Sequence, residues 1–205
     1  MNIYYMWNFK PNEKQPFPQD VIRHNEKFIN THSIITPATI YELIHNDTFP
    51  ELAQLYSQIP HWVIQADLVR LLLIYFNGGL YVDADCFIQK PIQSSSIVLF
   101  TEHICKSVHH LGPRECKHPD NVLRIANFCF GATTMKHPFL KEVIEECIRR
   151  LKQIKSEKIK LTQRDVLWMC GPDVITSIYH TSKHKYDICL HDTSYLQHKC
   201  YGSWR

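Results

Sequence analysis

The chain has 205 residues, enough to bury one full core and too few for two generous domains. Its 23 basic and 20 acidic residues leave a formal charge of +3, too balanced for the field that nucleic-acid binders use, so no nucleic acid partner is expected. Eight scattered cysteines without a Cys-x-x-Cys pair, no signal peptide and no apolar run longer than Leu71 to Phe76, against the roughly 20 residues that span a bilayer, make a reduced cytoplasmic setting and no membrane anchor the expectation.

The chain opens on an apolar strand, Ile3 to Trp7, followed by a Pro-rich polar loop from Lys10 to Asp20 and a weakly periodic helix from about Val21 to Asn30. A strand over Ile34 to Thr36 and short helices over Pro37 to Asn46 and Pro50 to Ser57 lead to the main helix, which opens after Pro60. There Leu68, Leu71, Leu72 and Tyr75 recur at helical spacing, and Asn77-Gly78-Gly79 supplies residues that take the left-handed conformation ending a helix. Leu80 to Val82 reads as a short buried strand. Ile97 to Thr101 is a further strand, and Glu102 to Asp120, polar and containing Gly112, Pro113 and Pro119, is the least structured stretch by pattern. Phe128 to Met135 reads as a strand, Phe139 to Ile154 and Val174 to His180 as helices, and Ile188 to Leu190 as a late strand. Strands and helices alternating in this order favour an α/β fold with a mostly parallel central sheet, in which ligands bind at the carboxyl ends of the strands.

Asp83 and Asp85 fall at such an end. A period of two turns both carboxylates to one side, and like charges that close repel, a cost removed by a hard cation that also grips phosphate oxygens. Asp67 and Arg70, three apart on the main helix, share a face and can act together on a ligand or simply pair. The basic run Arg149 to Lys160 reads as the solvated face and end of a helix. Two Cys/His clusters, one of Cys105, His109, His110, Cys116 and His118 and the other of Cys189, His191, His198 and Cys200, carry zinc-ligand chemistry without the spacing of a standard finger. An Asp-x-Asp after a strand also opens haloacid-dehalogenase-type phosphatases, where the first Asp attacks phosphate; their Thr or Val two residues beyond is here Phe87.

The pattern Ala66-Asp67-x-x-Arg70 followed by Gly78-Gly79-Leu80-Tyr81-x-Asp83-x-Asp85 resembles the DXD-containing sugar transferases of glycosyltransferase family 32, whose core is shared by the clostridial glucosylating toxins. Further marks are the opening Ile3 to Trp7 (Met6 replacing the usual Ile), Asn127-x-x-x-Gly131-Ala132 with His137-Pro138, Cys170-Gly171-Pro172 in place of Thr-Gly-Pro, and His198-x-x-x-Gly202-Ser203-Trp204. The resemblance implies a single GT-A domain over residues 1–205, with about 1–100 as the nucleotide-sugar half and about 101–205 as the acceptor half and closing tail. It implies a retaining, metal-dependent hexosyltransferase using Mn²⁺ or Mg²⁺. The donor would be a nucleotide sugar, UDP-sugars first and GDP-mannose second, and the acceptor a hydroxyl on a glycan or lipid-linked sugar. Asp83, Asp85 and His198 would hold metal; Asp67 and Arg70 the donor sugar hydroxyls; Asn127 would face the sugar or the acceptor; Trp7 would lie against the base, with Tyr81 a further substrate-binding residue; His198, Ser203 and Trp204 would close on the phosphates. Golgi relatives carry an N-terminal anchor, so the resemblance also points to a bacterial or viral source, with the host cytoplasm as location in the viral case, or to a shortened piece of a longer protein. A non-catalytic nucleotide-sugar binder on the same fold is the remaining alternative, against which the intact cluster of charged residues argues.

Overall fold

The computed structural model describes residues 1–93, 95–105, 122–157 and 161–200. Helix α4 (Trp62–Asn77) organises it: Ile64, Leu68, Val69, Leu72 and Ile74 are wholly buried, each worth about 1.5–3 kcal/mol by apolar burial. A helix apolar on nearly every side must be packed on every side, and only the Asp67 and Arg70 pair breaks that pattern in its middle. His61 caps it by accepting from the Val63 amide, and Gly78, at φ 65°, ends it. Gly79 follows at φ 87°, where a Cβ would stand 2.7 Å from the Asn2 carbonyl oxygen and 2.8 Å from the Tyr4 ring. The double glycine therefore serves both the left-handed turn and the close entry of the next strand into the sheet.

Six strands form the main sheet: β1 (Ile3–Met6), β2 (His32–Ile35), β3 (Gly79–Val82), β5 (Ile97–Cys105), β6 (Val122–Ala132) and β7 (Ile188–His191), in the order β2-β1-β3-β6-β5-β7. All run the same way except β6, which pairs antiparallel with both β3 and β5. A small antiparallel pair, β4 (Cys86–Ile88) with β8 (Leu196–His198), lies beside it. Side chains alternate between two cores as the pleat requires. Tyr81, Leu99 and Phe130 face the core under α4, α5 (Pro138–Glu157), α6 (Gln163–Met169) and α7 (Pro172–Ser182). Leu80, Val82 and Phe100 face the smaller core under α1 (Gln19–Asn25) and β4. Short helices α2 (Tyr41–Ile44) and α3 (Leu52–Ser57) pack on the α4 side.

Several boundaries differ from the sequence reading. Helix α1 stops at Asn25 because that buried side chain is used otherwise: it donates to the Tyr5 hydroxyl and the Cys86 carbonyl and accepts from the Ile88 amide. Strand β5 runs on through Glu102 to Cys105, and β6 begins at Val122 rather than Phe128; the two zip into a ribbon whose polar residues mask the strand pattern. Helix α6 escaped the periodicity reading, although Thr162 and Asp165 cap it reciprocally, a Thr-x-x-Asp signal present in the sequence. In the basic run, Arg149 is exposed as expected but Arg150 is fully buried, donating to Glu146 and the Trp168 carbonyl with its guanidinium 4.9 Å from the Trp168 ring centroid. No helix among the described residues is long and apolar enough to cross a membrane.

Candidate active site

The carboxyl ends of the parallel strands open into a cleft of about 910 Å³. At its floor Arg70 ties three elements together. Its Nη2 lies 3.1 Å from Asp67 Oδ1 and its Nη1 3.3 Å from Asp83 Oδ1, Nη1 donates to the Asn127 carbonyl, and the guanidinium stands 4.7 Å from the Tyr81 ring centroid. Asn127 Nδ2 donates in turn to Asp67 Oδ1, and the Tyr81 hydroxyl to Asp83 Oδ1. The simple Asp67–Arg70 salt bridge thus exists, but as one edge of a network that also fixes Asp83.

Asp83 and Asp85 do converge, though by a turn rather than by strand alternation: β3 ends at Val82, and the Cys86 amide donates back to the Asp83 carbonyl. β8 brings the third member, since pairing of Cys86 with His198 places the imidazole Nε2 3.1 Å from Asp85 Oδ1. His198 also lies against Phe128, the ring centroids 4.1 Å apart and the planes tilted by 32°. Asp83, Asp85 and His198 each offer a ligand atom within 4.8 Å of the others, and among the described residues no other group of three or more His, Cys, Asp or Glu does so. Two carboxylates and one imidazole fit a divalent cation of the Mn²⁺ or Mg²⁺ type, the nitrogen suiting Mn²⁺ better.

The electrostatics match. Burial pushes the Asp67 carboxyl up to about 7, Arg70 opposing it, Asp83 reinforcing it and the Asn127 hydrogen bond opposing it. Asp83 is raised by burial against the pull of Arg70 and Tyr81, with Asp85 adding repulsion. For His198, burial works against the imidazolium, but its bond to Asp85 and the charges of Asp85 and Asp83 outweigh that, so its pKa is raised. Three carboxylates around one guanidinium leave a site short of positive charge.

Trp7 lines the cleft with its indole N–H donating to the Gln15 carbonyl and its ring edge-on to Phe17. Ser203 and Trp204 lie outside the described residues, as do His109, His110, Cys116 and His118 of the first Cys/His cluster. The second cluster does not assemble: His191 packs between Phe100 and Tyr195 with Cys189 Sγ 3.6 Å from its Nε2, while His198 turns to Asp85. The sequence reading missed Phe128 and the ion pairs of Glu102, Arg124 and Asp173 at the far side of the cleft. An Arg among apolar residues in a strand was the available signal for the latter.

Known proteins resemble this chain in sequence region and in fold. Residues 13–105 match the model of the glycosyltransferase sugar-binding region containing DXD motif. The initiation-specific α-1,6-mannosyltransferase of Candida albicans is 24% identical over 196 residues, 85% of this chain and 51% of the relative; that of Saccharomyces cerevisiae is 28% identical over 103 residues, 45% and 21% respectively. The chain thus spans about half the length of the Candida relative. The PaToxG glycosyltransferase structure superposes with a TM-score of 0.57 at 17% identity, covering 89% of this chain and 69% of that one, a likeness of fold. Sequence region and architecture coincide: residues 13–105 match the DXD-containing sugar-binding region of glycosyltransferases, and the chain has the GT-A fold.

Proposed function

We propose that this chain is a metal-dependent, retaining glycosyltransferase that moves a hexosyl group from a nucleotide diphosphate donor to a hydroxyl of a glycan or lipid-linked acceptor. The observation that carries the reading is the Asp83, Asp85 and His198 trio, set at the carboxyl end of β3 beside the Asp67, Arg70 and Asn127 network. A cation held by Asp83, Asp85 and His198 would neutralise the charge that builds on the departing diphosphate.

The chain's own groups do the rest. Arg70, already bound to Asp83, Asp67 and the Asn127 carbonyl, holds the carboxylates in place without rearrangement, the preorganisation that makes electrostatic catalysis effective. Asp67 and Asn127 face the sugar hydroxyls, and Trp7 forms the wall nearest the base. His198 reports whether β8 has closed on the site, and Ser203 and Trp204 follow it in the chain as the residues that would cover the phosphates and exclude water. Mannose is the first glycosyl group to test, because the fungal relatives are α-1,6-mannosyltransferases by name; this brings GDP-mannose level with the UDP-sugars. The phosphatase alternative requires Asp83 as a free nucleophile, whereas its Oδ1 is engaged by Tyr81 and Arg70.

Isothermal titration of the chain with UDP and with GDP, each with and without Mn²⁺, tests the proposal. Metal-dependent binding of one nucleotide, abolished in Asp85→Ala, is the expected result. Failure of both nucleotides to bind in the presence of Mn²⁺ would overturn it. Hydrolysis or transfer of the matching nucleotide sugar then separates an enzyme from a non-catalytic binder.

A further inference from the structure

The cleft is longer than the donor network. Beyond Asn127, Arg124 on β6 and Glu102 on β5 line its other end. The β5–β6 ladder is irregular here: Leu99 pairs with Phe130 and Thr101 with Ile125, then His103 with Arg124, so Ala126 to Cys129 stand opposite Phe100 alone and Glu102 has no opposite residue. Bulges of this kind re-aim side chains and concentrate beside active sites. This one turns Asn127 toward Asp67 and leaves Glu102 and Arg124 side by side.

Arg124 is held from behind. Its Nη2 lies 2.9 Å from Asp173 Oδ1, in the first turn of α7, and its Nε 3.4 Å from Glu102 Oε2, while Glu102 Oε1 is 3.5 Å from His103 Nδ1. The Arg124 and Asp173 side chains are 13% and 7% exposed. Yet Arg124 Nε and Nη2 and Glu102 Oε2, all buried, make no hydrogen bond of proper geometry among the described residues. Charge is matched and hydrogen bonding is not, and orphaned buried polar atoms require an account. A hydroxyl supplies one, because it donates to a carboxylate oxygen while accepting from a guanidinium N–H. The three side chains together carry a charge of −1, which repels phosphate and carboxylate ligands and tolerates neutral ones.

Resting on the transferase reading above, we propose that Glu102 and Arg124 form the acceptor subsite, binding adjacent hydroxyls of a neutral hexose, with Asp173 as the residue that positions Arg124. The acceptor sugar then lies across Asn127 from the metal trio, in the same cleft as the donor.

The test is a saturation-transfer NMR titration of methyl α-D-mannopyranoside and of D-mannose 6-phosphate on the whole chain with Mg²⁺ and UDP or GDP. The neutral glycoside is expected to bind and the phosphorylated sugar to bind at least about tenfold more weakly. Glu102→Gln and Arg124→Lys should each weaken the glycoside by about tenfold, the scale of one lost hydrogen bond to a charged group. Nucleotide affinity measured on the same samples should stay unchanged, which also establishes that the variants are folded. The proposal is overturned if the wild-type chain binds no glycoside, if the phosphorylated sugar binds more tightly, or if both variants bind the glycoside as the wild type does. Glycoside binding that follows the expected pattern while neither nucleotide binds would overturn the transferase reading instead and leave the subsite standing.

Discussion

Replacing Asp67 with Asn should change how the stability of the empty protein depends on pH. Its carboxyl is moved from 3.8 to about 7, chiefly by burial on α4. The folded state therefore keeps a proton that the unfolded chain releases between about pH 4 and pH 7. In that window the unfolded state binds fewer protons, so stability is fully present below the unfolded pKa and is lost as pH rises through the folded one. A displacement of about three units at about 1.4 kcal/mol each amounts to ~4 kcal/mol, a large part of the stability of a domain this size. Asn cannot ionise, is nearly the same shape, and can still accept from Asn127, while Arg70 keeps Asp83 as its anionic partner. Urea unfolding of both proteins in EDTA at about pH 5, 6, 7 and 8 would give ΔG at each point. The wild type should lose several kcal/mol across the range and Asp67→Asn visibly less, the curves lying close at about pH 5 and separating on the alkaline side, where the variant is the more stable. Asp83 and His198 are raised as well and lose stability in the same direction, but both remain in the variant, so the difference between curves isolates Asp67. Parallel curves would refute the reasoning, since they would mean that Asp67 is ionised in the fold at little cost.

His198→Ala should lower metal-dependent nucleotide affinity at least about tenfold, the size of effect seen when even a supporting partner of a metal ligand is removed, while leaving binding without metal unchanged; titration calorimetry reads both. Gly79→Ala should destabilise the fold by about 1–3 kcal/mol in urea, from the left-handed φ and from a Cβ placed against the Asn2 carbonyl and the Tyr4 ring. Arg150→Ala should cost about 3–5 kcal/mol, because Glu146 loses a buried partner and the Trp168 carbonyl its donor, whereas Arg149→Ala next to it should stay within about 0.5 kcal/mol.

The sequence made the Asp67 to Asp85 side of the cleft legible for a physical reason. Asp67, Arg70, Asp83 and Asp85 lie within one helix–turn–strand unit, where helical spacing, a double glycine and a short strand fix relative positions over less than twenty residues of chain. His198 and Asn127 came from the resemblance alone, since their approach depends on β8 pairing with β4 and on β6 pairing with β3, contacts between residues far apart in sequence. The turn at Asp83 to Cys86 and the bulge in β6 produce geometry that strict alternation does not. Arg150 shows the converse error: within a basic run one member turns inward because Trp168 and Glu146 wait there, a fact of tertiary packing that charge patterning does not carry.

The reversed direction of β6 is what joins the two halves of the cleft. In a wholly parallel sheet each strand brings only its last residues to the ligand edge. Because β6 runs the other way, its beginning lies where β3 and β5 finish, so Arg124, Asn127 and Phe128 arrive at the edge already reached by Asp83 and Glu102. The bulge then spends three further residues there, enough for Asn127 to turn to Asp67 and for Phe128 to lie against His198 and accept the Asp83 amide at its carbonyl. One strand thereby touches the helix that carries Asp67, the turn that carries the paired aspartates, the short strand that brings His198 and the ion pair at the far end. A substitution that removed the bulge without altering any charged residue should therefore weaken metal, nucleotide and glycoside binding together. Deleting Phe128, one of the three extra residues, shortens the bulge and also removes the ring beside His198 and the carbonyl that accepts the Asp83 amide. Uniform loss of all three affinities with a cooperative urea transition retained would support this role for β6; loss of only one would show that the subsites are built independently.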